Sequence, residues 1–355
     1  AISLRDLLNQ HLASLGAEQS PLQDEHIQLV IATSGSTGQP KGVMLSRRAL
    51  AANARASCRR LSLKPTDRWL NCLPLYHIGG LSIPLRCLHA GAAMLLHQGF
   101  DAARVWRDLQ QQQVTHVSLV PAMLAQLLQQ AGTARAPQQL RVVLIGGGPL
   151  SPQLACEAGG RGWPRCASYG MSEAASQIAT DCGPGAGTRA GWVGKPLHGL
   201  QIRLRPGGEI SLRGGALMSG YINPTLSPGE GLVHGWLETD DLGEIDDDGN
   251  LRLIGRADER MVSAGKSFSP QEVEEWLLKC PGVQVVAVTG CSDPVWGHRI
   301  GAAYQGKIDE YALRQWVNEH LPSHLRPRRL RRVGRVPLNA MGKRDLQALQ
   351  TLLCD

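Results

Sequence analysis

A run of ten residues, Thr-Ser-Gly-Ser-Thr-Gly-Gln-Pro-Lys-Gly at positions 33–42, constrains this chain more than any other feature. An apolar stretch at 27–31 precedes it, and Ser46, a suitable helix N-cap, follows it. We therefore expect the run to be a loop between a strand and a helix. Glycines that free backbone N–H groups, together with hydroxyls and Lys41, suit a polyphosphate ligand. Gly42 replaces the Ser or Thr of the usual nucleotide P-loop, and a flexible Gly/Ser linker is the plain alternative.

Composition predicts an ordinary globular protein of one large and one small domain, because the chain has 355 residues, 43% hydrophobic and 19% charged. No apolar run is long enough for a membrane span, and no signal-peptide pattern opens the chain. Nine cysteines without a Cys-x-x-Cys pair predict neither a zinc site nor a disulfide framework, which favours a reducing cytoplasm.

The formal charge of +7 raises the question of nucleic acid, but the chain has only two Phe and five Tyr. No interleaved basic and aromatic pattern appears, so we expect no nucleic-acid partner. A basic surface that meets anionic small molecules is the simpler interpretation.

Strand-like and helix-like segments alternate through the middle of the chain. Residues 114–120, 141–145 and 166–168 read as strands, and 123–130 reads as a helix. The second and third of these strands run into the glycine loop at Gly146 and Gly147 and into the segment that begins at Tyr169. Loops of this kind at strand ends predict an α/β architecture with a ligand site there.

The loop at 33–42 resembles the phosphate loop of the acyl-adenylate-forming superfamily, which includes acyl-CoA synthetases, peptide-synthetase adenylation domains and luciferases. The segments 169–173, 235–243, 255–258 and 337–343 resemble further motifs of the same superfamily. The resemblance implies an α/β adenylation domain over residues 1–257 and a smaller, mobile α+β domain over residues 258–355. In the superfamily a sizeable subdomain precedes the loop, whereas 32 residues do here. We therefore expect a large domain shortened at its N-terminus, either in a naturally short member or because the N-terminal part is missing from this chain.

The same resemblance assigns roles to single residues. It implies that the Tyr169 ring stacks on adenine, that Ser172 contacts the α-phosphate and that Glu173 holds Mg²⁺, although a solvated glutamate at a helix start is the plain alternative. Lys343 is the implied catalytic lysine, assisted by Glu173 and Thr33. The remaining implied residues bind the nucleotide or form the interdomain hinge: Ser34, Gly35, Ser36, Thr37, Gly38, Lys41, Gly147, Gly170, Asp241 and Arg256 for the nucleotide, and Asp258 for the hinge.

Segments that line the acid pocket in the superfamily narrow the resemblance to one group of its members. Residues 76–86, 116–121, 169–177 and 193–196 resemble segments of o-succinylbenzoate–CoA ligases, the MenE type of quinone biosynthesis. By that resemblance the acid is bound by His77, Arg86, Gly146 and Ser176. A structural histidine and a surface or structural arginine are the alternatives for His77 and Arg86.

The expected function is an AMP-forming o-succinylbenzoate–CoA ligase of menaquinone or phylloquinone biosynthesis, which uses ATP, Mg²⁺ and coenzyme A. A ligase for another acid, a carrier-protein adenylating domain and a truncated, inactive nucleotide-binding homologue are the alternatives. The arginine-rich run at 326–335 either contacts coenzyme A phosphates or is a solvated edge. Oligomeric state is left open, a homodimer included.

Overall fold

The computed structural model describes residues 24–34, 40–223, 226–263, 266–337 and 345–354. The strands in these ranges are β1 (Ile27–Ser34), β2 (Pro40–Ser46), β3 (Arg68–Asn71), β4 (Ala93–Leu96), β5 (His116–Leu119), β6 (Val142–Ile145), β7 (Arg165–Met171), β8 (Ser176–Asp181), β9 (Trp192–Gly194), β10 (Leu200–Leu204), β11 (Glu209–Gly214), β12 (Gly220–Asn223), β13 (Leu226–Glu230), β14 (Leu232–Val233), β15 (Trp236–Ile245), β16 (Leu251–Arg256), β17 (Met261–Ser263), β18 (Lys266–Phe268), β19 (Val283–Asp293), β20 (Gly297–Gly306) and β21 (Arg329–Arg332). The α-helices are α1 (Arg47–Leu61), α2 (Ile78–Ala90), α3 (Ala102–Gln111), α4 (Pro121–Ala131), α5 (Pro152–Gly160), α6 (Pro270–Leu277), α7 (Glu310–His320) and α8 (Leu346–Cys354).

A six-stranded sheet with the order β4-β3-β5-β6-β7-β8 forms the centre of the large domain, and its strands are parallel except for β8. Every residue of β5 and β6 is buried, as expected for parallel strands covered on both faces. The three strands and the helix that alternation predicted are confirmed as β5, β6, β7 and α4.

Local sequence signals begin several of the helices that cover this sheet. The side chains of Ser46, Asp101 and Ser151 accept hydrogen bonds from backbone N–H groups in the first turns of α1, α3 and α5. Pro121 and Pro152 occupy first helical positions, where the missing N–H has no partner to lose. The N-cap predicted at Ser46 is confirmed.

Two further sheets pack beside the central one. One has the order β1-β2-β12-β13, and the other has the order β10-β11-β15-β16-β9 with β14 paired to β15. Both are antiparallel throughout. They share one apolar core with the edge of the central sheet, formed by residues such as Ile31, Val43, Ile178 and Leu212. This packing brings the β1–β2 hairpin next to the carboxyl ends of the central strands.

The last five strands form a separate, smaller sheet, β18-β17-β20-β19, with β21 parallel to β20. Helices α6 and α7 cover it over a core that includes Phe268, Val273, Ile300 and Leu313. The chain is therefore a mixed α/β protein with a large N-terminal and a smaller C-terminal domain. The boundary at residues 257 and 258 stays a prediction; it falls between β16 and β17.

The cysteines do not follow the sequence-based expectation. Disulfides join Cys166 to Cys182 and Cys291 to Cys354, across separations of 16 and 63 residues. The prediction that the cysteines form no disulfides was wrong, because local spacing does not report on partners that the fold brings together. The correction also removes the cysteine argument for a reducing compartment. Among the described helices, none is both long and apolar enough to cross a membrane.

Candidate active site

The predicted phosphate loop joins two strands rather than a strand and a helix. Strands β1 and β2 pair in antiparallel fashion, with Thr33 opposite Lys41, and α1 begins only after β2. The expectation of a strand, loop and helix in direct succession was therefore wrong. The physical reason is a partner far along the sequence. Strand β12 pairs with β2, with Tyr221 opposite Val43, and this pairing holds residues 40–46 in extended form.

Several predicted site residues lie outside what the structure describes. They are the loop residues Gly35, Ser36, Thr37 and Gly38, the side chain of Ser34 and the catalytic candidate Lys343. Their roles stay predictions. Of the same set, Thr33 and Lys41 are described, and the Thr33 hydroxyl lies 3.4 Å from the Lys41 carbonyl oxygen.

Lys41 and Glu173 approach each other through a tyrosine that sequence reasoning did not single out. The Lys41 ammonium lies 5.1 Å from the centroid of the Tyr221 ring, and the Tyr221 hydroxyl donates a 2.9 Å hydrogen bond to Glu173 Oε1. Burial, followed by the charge of Glu173, raises the pKa of Tyr221, so the hydroxyl is a donor at neutral pH. The only signal available in the sequence was that tyrosine is rare in this chain.

A single carboxylate at this position is the donor expected for ATP-bound magnesium. No group of three or more His, Cys, Asp or Glu side chains in the described ranges is arranged to hold a metal by itself. Mg²⁺ that arrives with a nucleotide usually takes one or two protein carboxylates, phosphate oxygens and waters. Glu173, in the short turn Ser172–Ala174 after β7, therefore fits this ion.

The ribose corner, which we define as Tyr169, Asp241, Arg256 and Asp258, is a connected polar network. The Tyr169 hydroxyl donates to Asp241 Oδ2 at 2.5 Å, and Arg256 Nη1 lies 3.3 Å from Asp241 Oδ1. Arg256 also binds both oxygens of Asp258, at 2.8 and 2.7 Å. Burial and the Asp241 charge raise the pKa of Tyr169 well above its ordinary value, and the hydrogen bond to Asp258 raises the pKa of Arg256. The structure thus brings together four residues that the sequence named separately.

Two glycine segments border this corner. Gly146 and Gly147 follow β6 directly, and Gly170 lies in β7. A Cβ on Gly170 would lie 2.1 Å from the Ser176 carbonyl oxygen, so no larger residue fits where β7 and β8 meet. The nucleotide and acid segments of the sequence therefore meet at the carboxyl edge of the central sheet.

The Arg86 pocket, which we define as Arg86, Ser82 and Ser176, lies on the other side of that segment. Arg86 is 1% exposed on α2, and its Nη2 donates to Ser176 Oγ at 3.0 Å. Ser82 Oγ lies 3.2 Å from the same hydroxyl. Arg86 Nε is buried and has no hydrogen-bond partner. The surface-arginine alternative is excluded, because the guanidinium is fully enclosed.

Arg86 is also a cation without a carboxylate partner among the described side chains. Burial lowers the pKa of Arg86 to about 10, which leaves it charged at neutral pH. Its electrostatic neighbours are the thiols of Cys58 and Cys87, whose own pKa values burial raises to about 11 and about 12. Both thiols are therefore neutral at pH 7, and the Arg86 guanidinium, which lies 5.5 Å from the centroid of the Trp69 ring, has no anionic partner among the described side chains.

Backbone strain marks the same pocket. Ser176 has a φ of 123° and Ala175 a φ of 53°, both in a region that non-glycine residues seldom adopt. Such strain persists where the surrounding structure imposes it, and it concentrates at functional sites. Here it aims the Ser176 hydroxyl at Arg86.

His77, another predicted acid-binding residue, precedes Arg86 on the same helix. It occupies the N-cap of α2, about 13 Å along the helix from Arg86, and its ring contacts that of Tyr76 at 4.5 Å. The structure places both residues on one helix, and the acid-binding role of His77 stays a prediction.

Comparison with protein-family models gives the class of protein. The model of AMP-binding enzymes matches residues 4–222, and the model of the AMP-binding enzyme C-terminal domain matches residues 272–343. The chain belongs to the AMP-binding enzyme family.

Within that family, particular relatives are similar over nearly the whole chain. A 2-succinylbenzoate–CoA ligase of Bacillus licheniformis is 38% identical, across 97% of this chain and 73% of the relative. The o-succinylbenzoate CoA synthetase (MenE) of Bacillus subtilis, solved with the acyl-adenylate intermediate OSB-AMP, superposes with a TM-score of 0.82 at 33% identity, over 96% of this chain and 73% of that one. The same synthetase solved with ATP and a magnesium ion also gives 0.82, at 32% identity over 96% and 74%.

Proposed function

We propose that this chain is an AMP-forming 2-succinylbenzoate–CoA ligase. It joins 2-succinylbenzoate (o-succinylbenzoate) to coenzyme A and converts ATP to AMP and pyrophosphate. The observation that carries the choice of acid is Arg86, a fully buried cation with no carboxylate partner among the described side chains. The similarity to ligases named for the same acid supports it.

The acid has two carboxylates, and the two have different tasks. The succinyl carboxylate is activated, whereas the ring carboxylate keeps its charge and needs recognition. A guanidinium with a free N–H is a strong donor to a carboxylate, directly or through water. We assign the ring carboxylate to Arg86, with Ser176 and Ser82 fixing the guanidinium.

The first half-reaction forms the acyl-adenylate. A succinyl carboxylate oxygen bonds to the α-phosphorus of ATP, and the bond from that phosphorus to the bridging oxygen breaks to release pyrophosphate. Lys343 is proposed to lie between the two anions, where its ammonium offsets their repulsion. The hydroxyls of the 33–37 segment and Ser172 are proposed to bind the phosphates, with Lys41 beside them.

Nucleotide binding is proposed to use the ribose corner. Asp241 accepts hydrogen bonds from the ribose hydroxyls, and Arg256 lies close enough to reach the same sugar. Magnesium bound with ATP would neutralise charge on the departing pyrophosphate. Glu173 is the carboxylate that would hold it, with one oxygen kept in place by Tyr221.

The second half-reaction forms the thioester. The sulfur of coenzyme A bonds to the acyl carbon, the carbon–oxygen bond to AMP breaks and the thiol proton is lost. We propose that the C-terminal domain rotates about Asp258 between the two steps. Because Arg256 binds Asp258 through two hydrogen bonds, rotation would alter a contact of the ribose corner.

Coenzyme A phosphates are proposed to meet the arginine-rich run. Arg328 packs its guanidinium against the exposed ring of Trp296, at 5.6 Å from the ring centroid. Arg329 and Arg331 donate to the carbonyl oxygens of Leu353 and Leu352. We propose that Arg328, whose guanidinium the Trp296 ring supports, contacts one of these phosphates. ATP and coenzyme A as substrates support a cytoplasmic location.

The test is ATP–pyrophosphate exchange with purified protein across a panel of acids, followed by mass detection of the CoA thioester. We expect 2-succinylbenzoate to support both readouts and 4-oxo-4-phenylbutanoate, which lacks the ring carboxylate, to be the poorer substrate. A preference for the monocarboxylate would overturn the choice of acid. Exchange without thioester would indicate a carrier-protein adenylating domain, and no exchange with any acid would indicate an inactive homologue.

A further inference from the structure

Tyr221 occupies a fixed position between the phosphate-loop hairpin and the turn that carries Glu173. It lies in β12 opposite Val43 of β2. On one side the backbone N–H of Ser219 donates to the Met44 carbonyl oxygen at 2.9 Å. On the other the N–H of Met218 donates to the carbonyl oxygen of Glu173 at 2.8 Å. The segment before Tyr221 is therefore tied to both parts of the site.

The side chain of Tyr221 contacts both parts as well. Its hydroxyl donates to Glu173 Oε1 at 2.9 Å, and the Lys41 ammonium lies 5.1 Å from its ring centroid. Gly231 leaves room for the ring, because a Cβ there would lie 2.5 Å from the Tyr221 Cδ2 atom. One residue thus sets the separation of a carboxylate from an ammonium.

A lone carboxylate gains most from such a partner. A carboxylate without a hydrogen-bond partner rotates freely, so either of its oxygens can bind a nearby cation. The Tyr221 hydroxyl binds Oε1, so Oε2 is the oxygen that would face a metal ion, and the Tyr221 ring lies next to the Lys41 ammonium. Outer partners that orient a metal-binding group typically change metal affinity about 10–100-fold when removed.

We propose that Tyr221 is a positioning residue that holds Glu173 and Lys41 in register for the magnesium-bound triphosphate of ATP. The proposal rests on the proposed function. It concerns nucleotide binding, which can be measured without the acid or coenzyme A.

The hydroxyl and the ring are separable by mutation. Tyr221→Phe removes the bond to Glu173 and keeps the ring under Lys41, whereas Tyr221→Leu removes both. Tyr311→Phe is the matched control, because Tyr311 is 72% exposed on α7 and its hydroxyl meets only Gln315 in the described contacts. Calorimetry then compares ATP binding in Mg²⁺ with ATP binding in EDTA for each purified protein.

We expect Tyr221→Phe to weaken Mg·ATP binding about 10-fold and to change metal-free ATP binding less than twofold. Tyr221→Leu should weaken both, and Tyr311→Phe neither. Equal losses with and without Mg²⁺ in Tyr221→Phe, or no loss in either, would overturn the proposal.

A double-mutant cycle with Glu173→Gln tests whether Tyr221→Phe weakens binding through Glu173 or through a general structural defect. In that background Tyr221→Phe should add less than a twofold loss, since the hydroxyl acts through the carboxylate. A full additional loss would show that Tyr221 acts elsewhere. If the wild type binds Mg·ATP in a Tyr221-dependent way but makes no 2-succinylbenzoyl-CoA, the proposed acid fails and the role of Tyr221 stands.

Discussion

The ribose corner and the Arg86 pocket are built in opposite ways. In the ribose corner one guanidinium, Arg256, lies within 3.5 Å of three carboxylates, those of Asp240, Asp241 and Asp258. In the Arg86 pocket one guanidinium is fully buried among hydroxyls and neutral thiols. Each carboxylate of the first region lies within 3.5 Å of a guanidinium, whereas the Arg86 guanidinium has no carboxylate partner among the described side chains.

This difference gives the two regions different consequences: the paired charges of the ribose corner contribute to stability, and the unpaired Arg86 contributes to substrate specificity. A ligand at the ribose corner exchanges existing hydrogen bonds for new ones, so part of the free energy of its new contacts is offset there. A buried charge without a partner is unfavourable by several kcal/mol in principle. An anion that enters the Arg86 pocket relieves that penalty, and a neutral ligand does not. The structure therefore predicts that charge selection for the acid resides in Arg86.

The largest effect should come from Lys343, which belongs to neither region. If the ribose corner and the Arg86 pocket only position substrates, the Lys343 ammonium is what offsets repulsion between the acid carboxylate and the α-phosphate. Its removal should then slow adenylate formation alone. Lys343→Ala should slow adenylate formation about 10²–10³-fold, the scale for one electrostatic contact. Thioester formation from supplied acyl-adenylate should be largely intact. Single-turnover assays of each half-reaction decide the matter, and equal damage to both steps would contradict the assignment.

Arg86→Leu tests the Arg86 pocket, where the guanidinium has no carboxylate partner. It should raise the KM for 2-succinylbenzoate about 10–10³-fold, spare the KM for ATP and leave activity with 4-oxo-4-phenylbutanoate nearly unchanged. It should also leave the unliganded protein as stable as the wild type or more stable, because an unpaired buried charge is removed. Steady-state kinetics with both acids and a thermal melt measure the two effects.

Arg141→Leu is the control for Arg86→Leu. Arg141 pairs with the buried carboxylate of Asp67 at 2.8 Å, so its loss should lower stability and leave the KM for the acid unchanged. If both acids lose activity by the same factor in Arg86→Leu, the arginine has a structural role and the comparison fails.

Asp241→Ala tests the ribose corner, where the carboxylates already pair with Arg256. It should raise the KM for ATP about 10–100-fold, equivalent to about 1.5–3 kcal/mol, with a smaller change in kcat, because ribose contacts persist into the transition state. Asp240→Ala is the matched control, since Asp240 is more exposed and lies 3.5 Å from Arg256. An unchanged KM for ATP with a collapsed kcat would contradict a ribose role for Asp241.

The smallest expected effect concerns the strained backbone at Ser176. Ser176→Gly should be about 1 kcal/mol more stable than Ser176→Ala, because glycine adopts a φ of 123° without strain. Ser176→Ala loses the same hydroxyl but keeps the strain, so it should not be stabilised. Both should raise the KM for the acid modestly, since Arg86 loses a partner. Chemical denaturation of the two variants side by side measures the difference, and identical stabilities would argue against strain.

The sequence by itself determined the features that depend on local chemistry and order. It determined the α/β class, three of the six strands of the central sheet, the N-cap at Ser46 and the family. It also named the members of the ribose corner, although it could not show that Tyr169 and Asp241 share a hydrogen bond.

Only the tertiary structure decided the features that depend on partners far along the chain. Pairing of β12 with β2 turned the expected strand–loop–helix into a hairpin and put Tyr221 beside Glu173. Packing of α2 against the turn before β8 buried Arg86 next to Ser176, 90 residues away in sequence. The disulfides arose in the same way, across separations of 16 and 63 residues. The physical reason is that periodicity and capping act over a few residues, whereas burial and charge pairing depend on which distant surfaces the fold brings into contact.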